Sequence, residues 1–404
     1  MGVPRHGGAP RSDGRAFAAS GPAAGGGAPA TDSRRLPAAF WLLALVNLLV
    51  GGMVGLERTV VPVIGADVFG LGQGAALAAF VISFGAAKAL VNLLAGALAD
   101  RIGRRRVLLL GWVLGLPIPV LLMVAPSWEW IIAANVLLGI NQALTWSMTV
   151  NMMVDLAPAA RRGLAAGVNE FAGYAGVSLL AFLTGLVASA YGLRPEPFYL
   201  GVAVSVLGLA LSLLVPETLP TVAPAPLRWI RGVGVPALLG GVTNLKDGLV
   251  WLALPLMMST RGFGLTEVGL VAGLYPFVWA LGQIVFGPLS DRVGRRRVIL
   301  PGMLLQAAGL VLLGAASELS GMMTASFVLG LGTGMVYPTL IALVADRVGE
   351  HQRATALGVY RFVRDGGYVI GALVAATGVV GFGGLMVAVG IGVLAVTVAS
   401  WRAT

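Results

Sequence analysis

The chemistry this chain offers lies in ionisable residues set inside apolar sequence. Glu57, Arg58, Lys88, Glu170, Lys246, Asp247, Arg361, Arg364 and Asp365 each fall within a long apolar run. A charged side chain at the centre of a bilayer costs on the order of 2.5 to 3.5 kcal/mol or more, so such groups pair with one another or face a watery, protein-lined cavity. Acids and bases nearly balance in this set, as pairing requires. A carboxyl or an amine in such a place can also gain or lose a proton, whereas an arginine in practice cannot. Glu57, Glu170 and Asp365 are therefore the candidate proton carriers. Lys88 and Lys246 join them because every other basic side chain of this type in the sequence is Arg. The alternative role for each is a static ion pair that fixes helix packing.

Several of these residues share helical faces with polar neighbours. Arg361, Arg364, Asp365 and Tyr368 stand at i, i+3, i+4 and i+7, on one side of a helix. Asn135, Gln142, Thr145 and Thr149 form a second polar face, and Tyr275, Trp279 and Gln283 a third. Trp146 and Trp279 suit ligand contact or simple packing. Lys88 and Asp365 each lie about 16 Å from the nearer end of their predicted helices.

What must position these groups is a membrane-embedded helical frame. With 57% hydrophobic and 11% charged residues, the chain lacks the charged surface of a soluble domain. Twelve helices of membrane-spanning length are predicted, at 37–64, 74–99, 107–125, 128–155, 163–190, 197–215, 229–258, 267–290, 298–316, 320–345, 354–376 and 379–400. Strands are excluded because a lipid-exposed sheet must close into a barrel with period-two alternation, which is absent. The fold class is thus all-α and polytopic.

The net charge of +10 would suggest nucleic acid in a soluble protein, but the basic residues fall in short loops between apolar runs. With both termini cytoplasmic, 20 of the 27 Lys and Arg residues lie on the inner side, against Arg194 and Arg261 outside. That is the expected orientation of a multi-pass protein of the cytoplasmic membrane. No cysteine is present and only two His residues occur, which excludes disulfides and leaves no cofactor or metal cluster to propose. No His, Cys or Ser constellation with catalytic spacing stands out, so an enzyme is not expected. Residues 1–36, rich in Gly, Ala, Pro and Arg, are expected to be a disordered cytoplasmic tail. PETLPTVAPAPL at 216–227 cannot be helical and reads as a linker over 216–228 between halves at 37–215 and 229–404.

Those halves repeat. GALADRIGRRRV at 96–107 recurs as GPLSDRVGRRRV at 287–298, and the same offset of 191 residues matches Gly111 with Gly302, Gly139 with Gly330, Asp155 with Asp346 and Arg162 with Arg353. In the first helix of each half the offset is 189, which sets Glu57 and Arg58 against Lys246 and Asp247 with the charges reversed. Two six-helix halves in parallel repeat suit a transporter whose site lies between them.

The doubled loop resembles the loop 2-3 signature of the major facilitator superfamily, over about residues 37 to 401. The resemblance implies a twelve-helix fold of two pseudo-symmetric six-helix bundles in which the second and eleventh helices are neighbours, so a contact of Lys88 with Asp365, in preference to Glu170, is expected around the cavity. It also implies a cytoplasmic gate of Gly96, Asp100, Arg101, Gly103, Arg104, Asp155 and Arg162 in one half, with Gly287, Asp291, Arg292, Gly294, Arg295, Asp346 and Arg353 in the other. Arg can bridge carboxylates bidentately, so this cluster is expected to latch the halves, with Gly96 and Gly287 allowing close helix approach. LERTVVP at 56–62 is loosely similar to the L-D-x-T pattern of proton-coupled drug exporters, with Glu57 in the acidic position. Departures are GVNEFAGYAGVSL at 167–179, which lacks the exporters' Gly-Pro, and Asn135 where the superfamily often has Arg. The reading is a monomeric secondary transporter of a small molecule, coupled to protons and working by efflux. The alternatives are a proton symporter of a small inorganic or organic anion, to which Arg58, Arg361 and Arg364 would supply binding charge, and a receptor or scaffold that does not transport. Its other partner is membrane lipid, not nucleic acid.

Overall fold

Helices cross closely where the sequence removes side chains. We describe the protein from a computed structural model, over residues 2, 36–72, 74–158, 161–218, 232–348, 353–378 and 381–401, with the side chains of residues 100 and 353–355 outside the description. Most of the 1–36 tail and of the 216–228 linker lies outside the described residues. The helices are α1 (Ala38–Asp67, broken near Thr59), α2 (Ala75–Ile102), α3 (Arg104–Val124), α4 (Trp128–Leu156), α5 (Arg162–Tyr191) and α6 (Glu196–Leu213). The second half supplies α7 (Gly234–Thr260), α8 (Leu265–Val293), α9 (Arg295–Ala315), α10 (Leu319–Asp346), α11 (Arg353–Ala376) and α12 (Gly381–Ser400). Ten of these are long and apolar enough to cross a membrane. The two outside that set, α7 and α11, carry Lys246, Asp247, Arg361, Arg364 and Asp365, and their polarity is the reason they fall short.

The repeat seen in the sequence is a repeat of contacts. A methyl group at Gly139 would lie 2.5 Å from the Phe84 carbonyl oxygen, and one at Gly330 would lie 2.6 Å from that of Tyr275, the residue 191 positions beyond Phe84. Gly111 packs against Leu144 and Thr145 as Gly302 packs against Met335 and Val336. The tightest crossings bring α1 onto α5 and α7 onto α11: Cβ atoms at Gly51 and Gly371 would fall 1.8 Å from Gly173 O and 1.9 Å from Leu245 O. Backbones this close forgo side-chain burial and gain dispersion contact, which is how helices associate where lipid removes the hydrophobic driving force. These crossings fix the helices that carry Arg58, Glu170, Asp247 and Arg361.

The described residues from Leu36 onward form one body, in which the halves meet unevenly. Towards the end opposite the arginine-rich loops, α5 and α8 touch, with a methyl at Gly273 placed 3.0 Å from Ser178 O; near the arginine-rich end the corresponding approach, at Gly167, is 3.9 Å. Gly96, Gly163 and Gly358, at the arginine-rich ends of α2, α5 and α11, have nothing within 4 Å of an added Cβ. The halves are therefore packed more closely at one end, and stand further apart at the other. The close approach expected at Gly96 and Gly287 is not made: Gly96 is open, and Gly287 meets Pro338 of its own half at 3.8 Å. Both lie at the splayed end, and the glycines that do admit a neighbouring backbone lie deeper.

Candidate functional site

Between the halves, α1 and α7 face each other across the repeat axis. Arg58 donates from Nη1 to Asp247 Oδ1 at 3.0 Å and from Nη2 to Oδ2 at 2.8 Å, with side chains only 4% and 0% exposed. Repeat mates can touch each other only close to the pseudo-two-fold axis, so this bidentate bridge marks that axis. The Arg58 guanidinium also lies 4.9 Å over the Trp251 ring. Arg58, Trp251, Ala272 and Tyr275 line a cavity of about 220 Å³ on the side of the apposed end.

The other repeat-mate pair, Glu57 and Lys246, turns away from the axis. Both are fully buried. Neither Glu57 carboxyl oxygen accepts a well-formed hydrogen bond among the described residues, and the Asn135 side chain stands beside it. The Lys246 ammonium hydrogen-bonds the Tyr275 hydroxyl and sits 4.7 and 5.6 Å from the Tyr275 and Trp279 rings. Asn135 donates to Ile131 O at 3.0 Å and leaves its own side-chain oxygen unpartnered.

A larger cavity, of about 320 Å³, takes its walls from both halves. Lys88, Asn92, Gln142, Trp146, Ser147, Glu170 and Tyr174 come from the first, and Tyr337, Arg361 and Arg364 from the second. Arg364 is turned back onto Asp365, donating from Nε at 2.8 Å. Asp365 is further held by Asn92 Nδ2 at 2.7 Å and Asn244 Nδ2 at 3.2 Å. Glu170 accepts Trp146 Nε1–H at 2.8 Å through Oε1, while its Oε2 is buried without a partner. Gln142 donates to Val50 O at 2.8 Å. The aromatic wall is continuous: Tyr174 stacks on Trp279 with centroids 3.6 Å apart and meets Tyr337 and Trp146 edge-on.

Two expectations change. Lys88 pairs with neither Asp365 nor Glu170; its ammonium stands 5.4, 5.5 and 5.8 Å from the rings of Phe84, Trp146 and Tyr368. Asp365 is already satisfied by its neighbour Arg364 and two amides, so no acceptor capacity draws the lysine to it, and ring faces take its place. Gln283 and Tyr368 are buried outside the lining of this cavity, Gln283 with both amide atoms unpartnered and Tyr368 against Phe84. Sequence reasoning missed Asn92, Ser147, Tyr174 and Tyr337. Asn92 was within reach, since it follows Lys88 by one helical turn.

At the arginine-rich end the ion pairs among the described residues stay within one half. Arg104 pairs with Asp155, and Arg295 with Asp291 and, at 2.8 Å, with Asp346. Arg101, Arg162 and Arg292 are exposed, and the side chains of Asp100 and Arg353 lie outside the description. A latch spanning the halves is thus not what these pairs form here, as expected where the halves are parted. Gly103 and Gly294 join the helices at φ +95° and +96°, a region open to glycine. An unforeseen partner is Glu217, whose carboxylate accepts the backbone N–H groups of Arg104 (2.8 Å) and Arg105 (3.2 Å) at the N-terminus of α3, where an anion is favoured.

The comparisons with known proteins agree with this architecture. The sequence profile of the Major Facilitator Superfamily matches residues 43–230 and 237–403. The chain belongs to that superfamily and is a multi-pass membrane protein of a transporter family. It is 30% identical over 123 residues to the inner membrane transport protein YajR of Escherichia coli (strain K12), a stretch covering 30% of this chain and 27% of that one. It is 27% identical over 131 residues to the quinolone resistance protein NorA of Staphylococcus aureus (strain Mu50 / ATCC 700699), covering 31% and 33%. The matched stretch thus spans at most a third of either relative. Among solved structures, a point mutant of the nucleoside transporter NupG superposes with a TM-score of 0.73 at 14% identity over 90% of this chain and 99% of that one. The human organic anion transporter MFSD10 (TETRAN) does so with 0.69 at 18%, over 91% and 99%. At these identities the structures establish the fold.

Proposed function

We propose that the protein is a proton-coupled secondary transporter of the cytoplasmic membrane that exports a small organic molecule by alternating access, as a monomer with both termini in the cytoplasm. The observation that carries this reading is the cavity lined jointly by the two halves, with Lys88, Glu170 and Arg361 at its wall. A site at the interface of two bundles that are apposed at one end and parted at the other is what rocking of one bundle against the other requires. The arginine-rich loops support an orientation with the parted end at the cytoplasm. Glu57 is the proposed proton carrier, because it is a wholly buried carboxyl that accepts no well-formed hydrogen bond among the described residues and has only the Asn135 side chain beside it. Asp365, bonded to Arg364 and two amides, is a fixed anion in this reading. Export draws support from the likeness to a protein named for quinolone resistance.

The test is transport in proteoliposomes under an imposed pH gradient. Glu57→Gln is expected to abolish the dependence of transport on that gradient while leaving the protein in the membrane. Unchanged coupling in that variant rejects the role of Glu57. A second reading, proton symport of a small anion, is favoured by the two cationic groups at the cavity wall that no carboxylate neutralises. The direction in which a given gradient drives substrate separates the two, and transport indifferent to the gradient favours neither.

A further inference from the structure

The cavity wall carries cationic groups that no direct ion pair holds among the described residues. Lys88 rests among three aromatic rings, and Arg361, half-buried at the same wall, makes no hydrogen bond or ion pair among the described residues. Arg364 is neutralised by Asp365, so the lining holds two available cations against the one carboxylate of Glu170. A guanidinium is a planar fork of donors matched to a carboxylate, and an ammonium held by ring faces keeps its N–H groups for a stronger acceptor. The remaining wall is aromatic, with Trp146, Tyr174 and Tyr337 offering faces and edges. Glu170 adds a specific demand. Its residue is 7% exposed, one oxygen is taken by Trp146, and the other is buried at the cavity with no partner. A buried acceptor left unpaired is costly, more so when charged, and a ligand donor would remove that cost.

We infer that this cavity binds planar aromatic monocarboxylates bearing a hydrogen-bond donor, with the carboxylate on Lys88 and Arg361, the ring among Trp146, Tyr174 and Tyr337, and the donor on Glu170 Oε2. The inference rests on the transporter reading and names its substrate class. It separates a cationic amphiphile, which these two positive groups repel, from an organic anion or zwitterion, which they attract.

The experiment is equilibrium binding to the purified full-length protein in detergent, with no gradient, using 4-aminobenzoate, benzoate, cyclohexanecarboxylate and benzylamine as probes. Expected is 4-aminobenzoate tighter than benzoate, benzoate tighter than cyclohexanecarboxylate, and benzylamine weakest by at least about tenfold. Arg361→Gln and Lys88→Gln should each weaken 4-aminobenzoate by about tenfold to a hundredfold, the usual worth of a charge-assisted bond. Arg361→Lys, which keeps the charge and loses the fork, should fall between. Glu170→Gln should shrink the margin of 4-aminobenzoate over benzoate to about twofold or less. Should Arg361→Gln fail to give a monodisperse protein, Lys88→Gln and Arg361→Lys carry the test. Tighter binding of benzylamine than of any carboxylate, no carboxylate binding at millimolar concentration, or affinities indifferent to both substitutions would overturn the inference. Because binding is read without a gradient, a failure of proton coupling in proteoliposomes refutes the transport reading and leaves this order of affinities standing. Gradient-driven transport of benzylamine would do the reverse.

Discussion

Replacing Asp247 by Asn removes half of the bridge on the repeat axis and leaves Arg58 buried without its counter-ion. The bridge is bidentate, at 3.0 and 2.8 Å, between side chains 4% and 0% exposed. Breaking such a pair from one side costs about 3 to 5 kcal/mol, because the surviving charge stays out of water. That cost falls on the state seen here, with the bridge closed; a state open at this end hydrates Arg58 and escapes it. At about 1.4 kcal/mol per decade, Asp247→Asn should shift the balance towards opening of the apposed end by roughly 10²- to 4 × 10³-fold. The sequence contains no cysteine, so a single Ala272→Cys reporter has no background. Ala272 is 6% exposed and lines the small cavity beside Arg58. Its labelling by a membrane-impermeant maleimide from the outer face should accelerate by up to that factor in the Asp247→Asn background. The exchanged variant, Arg58→Asp with Asp247→Arg, should return labelling close to that of the parent, because the partners are equivalent positions of the repeat. Labelling unchanged by Asp247→Asn in a well-folded protein would refute the assignment of this pair as the closure of that end.

The helix crossings and the arginine-rich loops give further expectations. Gly371→Ala places a methyl 1.9 Å from Leu245 O and should abolish a monodisperse protein, whereas Gly358→Ala, which meets nothing within 4 Å, should behave as the parent in size-exclusion chromatography. Gly294→Ala should cost about 1 to 3 kcal/mol from its backbone conformation alone, and Gly103→Ala more, since its methyl also falls 2.6 Å from Glu217 Oε2; thermal unfolding in detergent ranks the two. Glu217→Ala should cost about 1 kcal/mol locally and speed hydrogen exchange at the Arg104 and Arg105 amides, with exchange at Arg296 and Arg297 unchanged as the internal control.

Much of this arrangement was written in residue types, and what was hidden depended on side-chain choice. The repeat offset, the helical frame and the charged positions all follow from patterns of period and composition, which survive without knowledge of packing. The reversed pairs Glu57/Arg58 and Lys246/Asp247 were visible, yet that Arg58 bonds its own repeat mate was not, because proximity to the axis is a property of the assembled halves. Lys88 shows the same limit. A depth argument brought it near Asp365, but Arg364, adjacent in sequence, reaches that carboxylate first and leaves the lysine to aromatic rings. Glu217 could not be foreseen from periodicity, since it stands beyond α6 and acts on the start of α3 across the fold. Gly96 and Gly287 carry a recognisable loop pattern, whereas the close crossings use Gly51, Gly173 and Gly371, whose surroundings resemble many other small-residue stretches.

Alternating access itself is tested most directly by two reporters read together, Gly96→Cys at the parted end and Ala272→Cys at the apposed end. An added Cβ at Gly96 meets nothing within 4 Å, so the site has room to accept this substitution. Each is labelled in oriented membranes, with and without a proton gradient and a transported substrate. The account predicts reciprocal change, Ala272→Cys gaining accessibility under the same conditions in which Gly96→Cys loses it. Reporters that rise together, or that both stay fixed while substrate crosses the membrane, would contradict it.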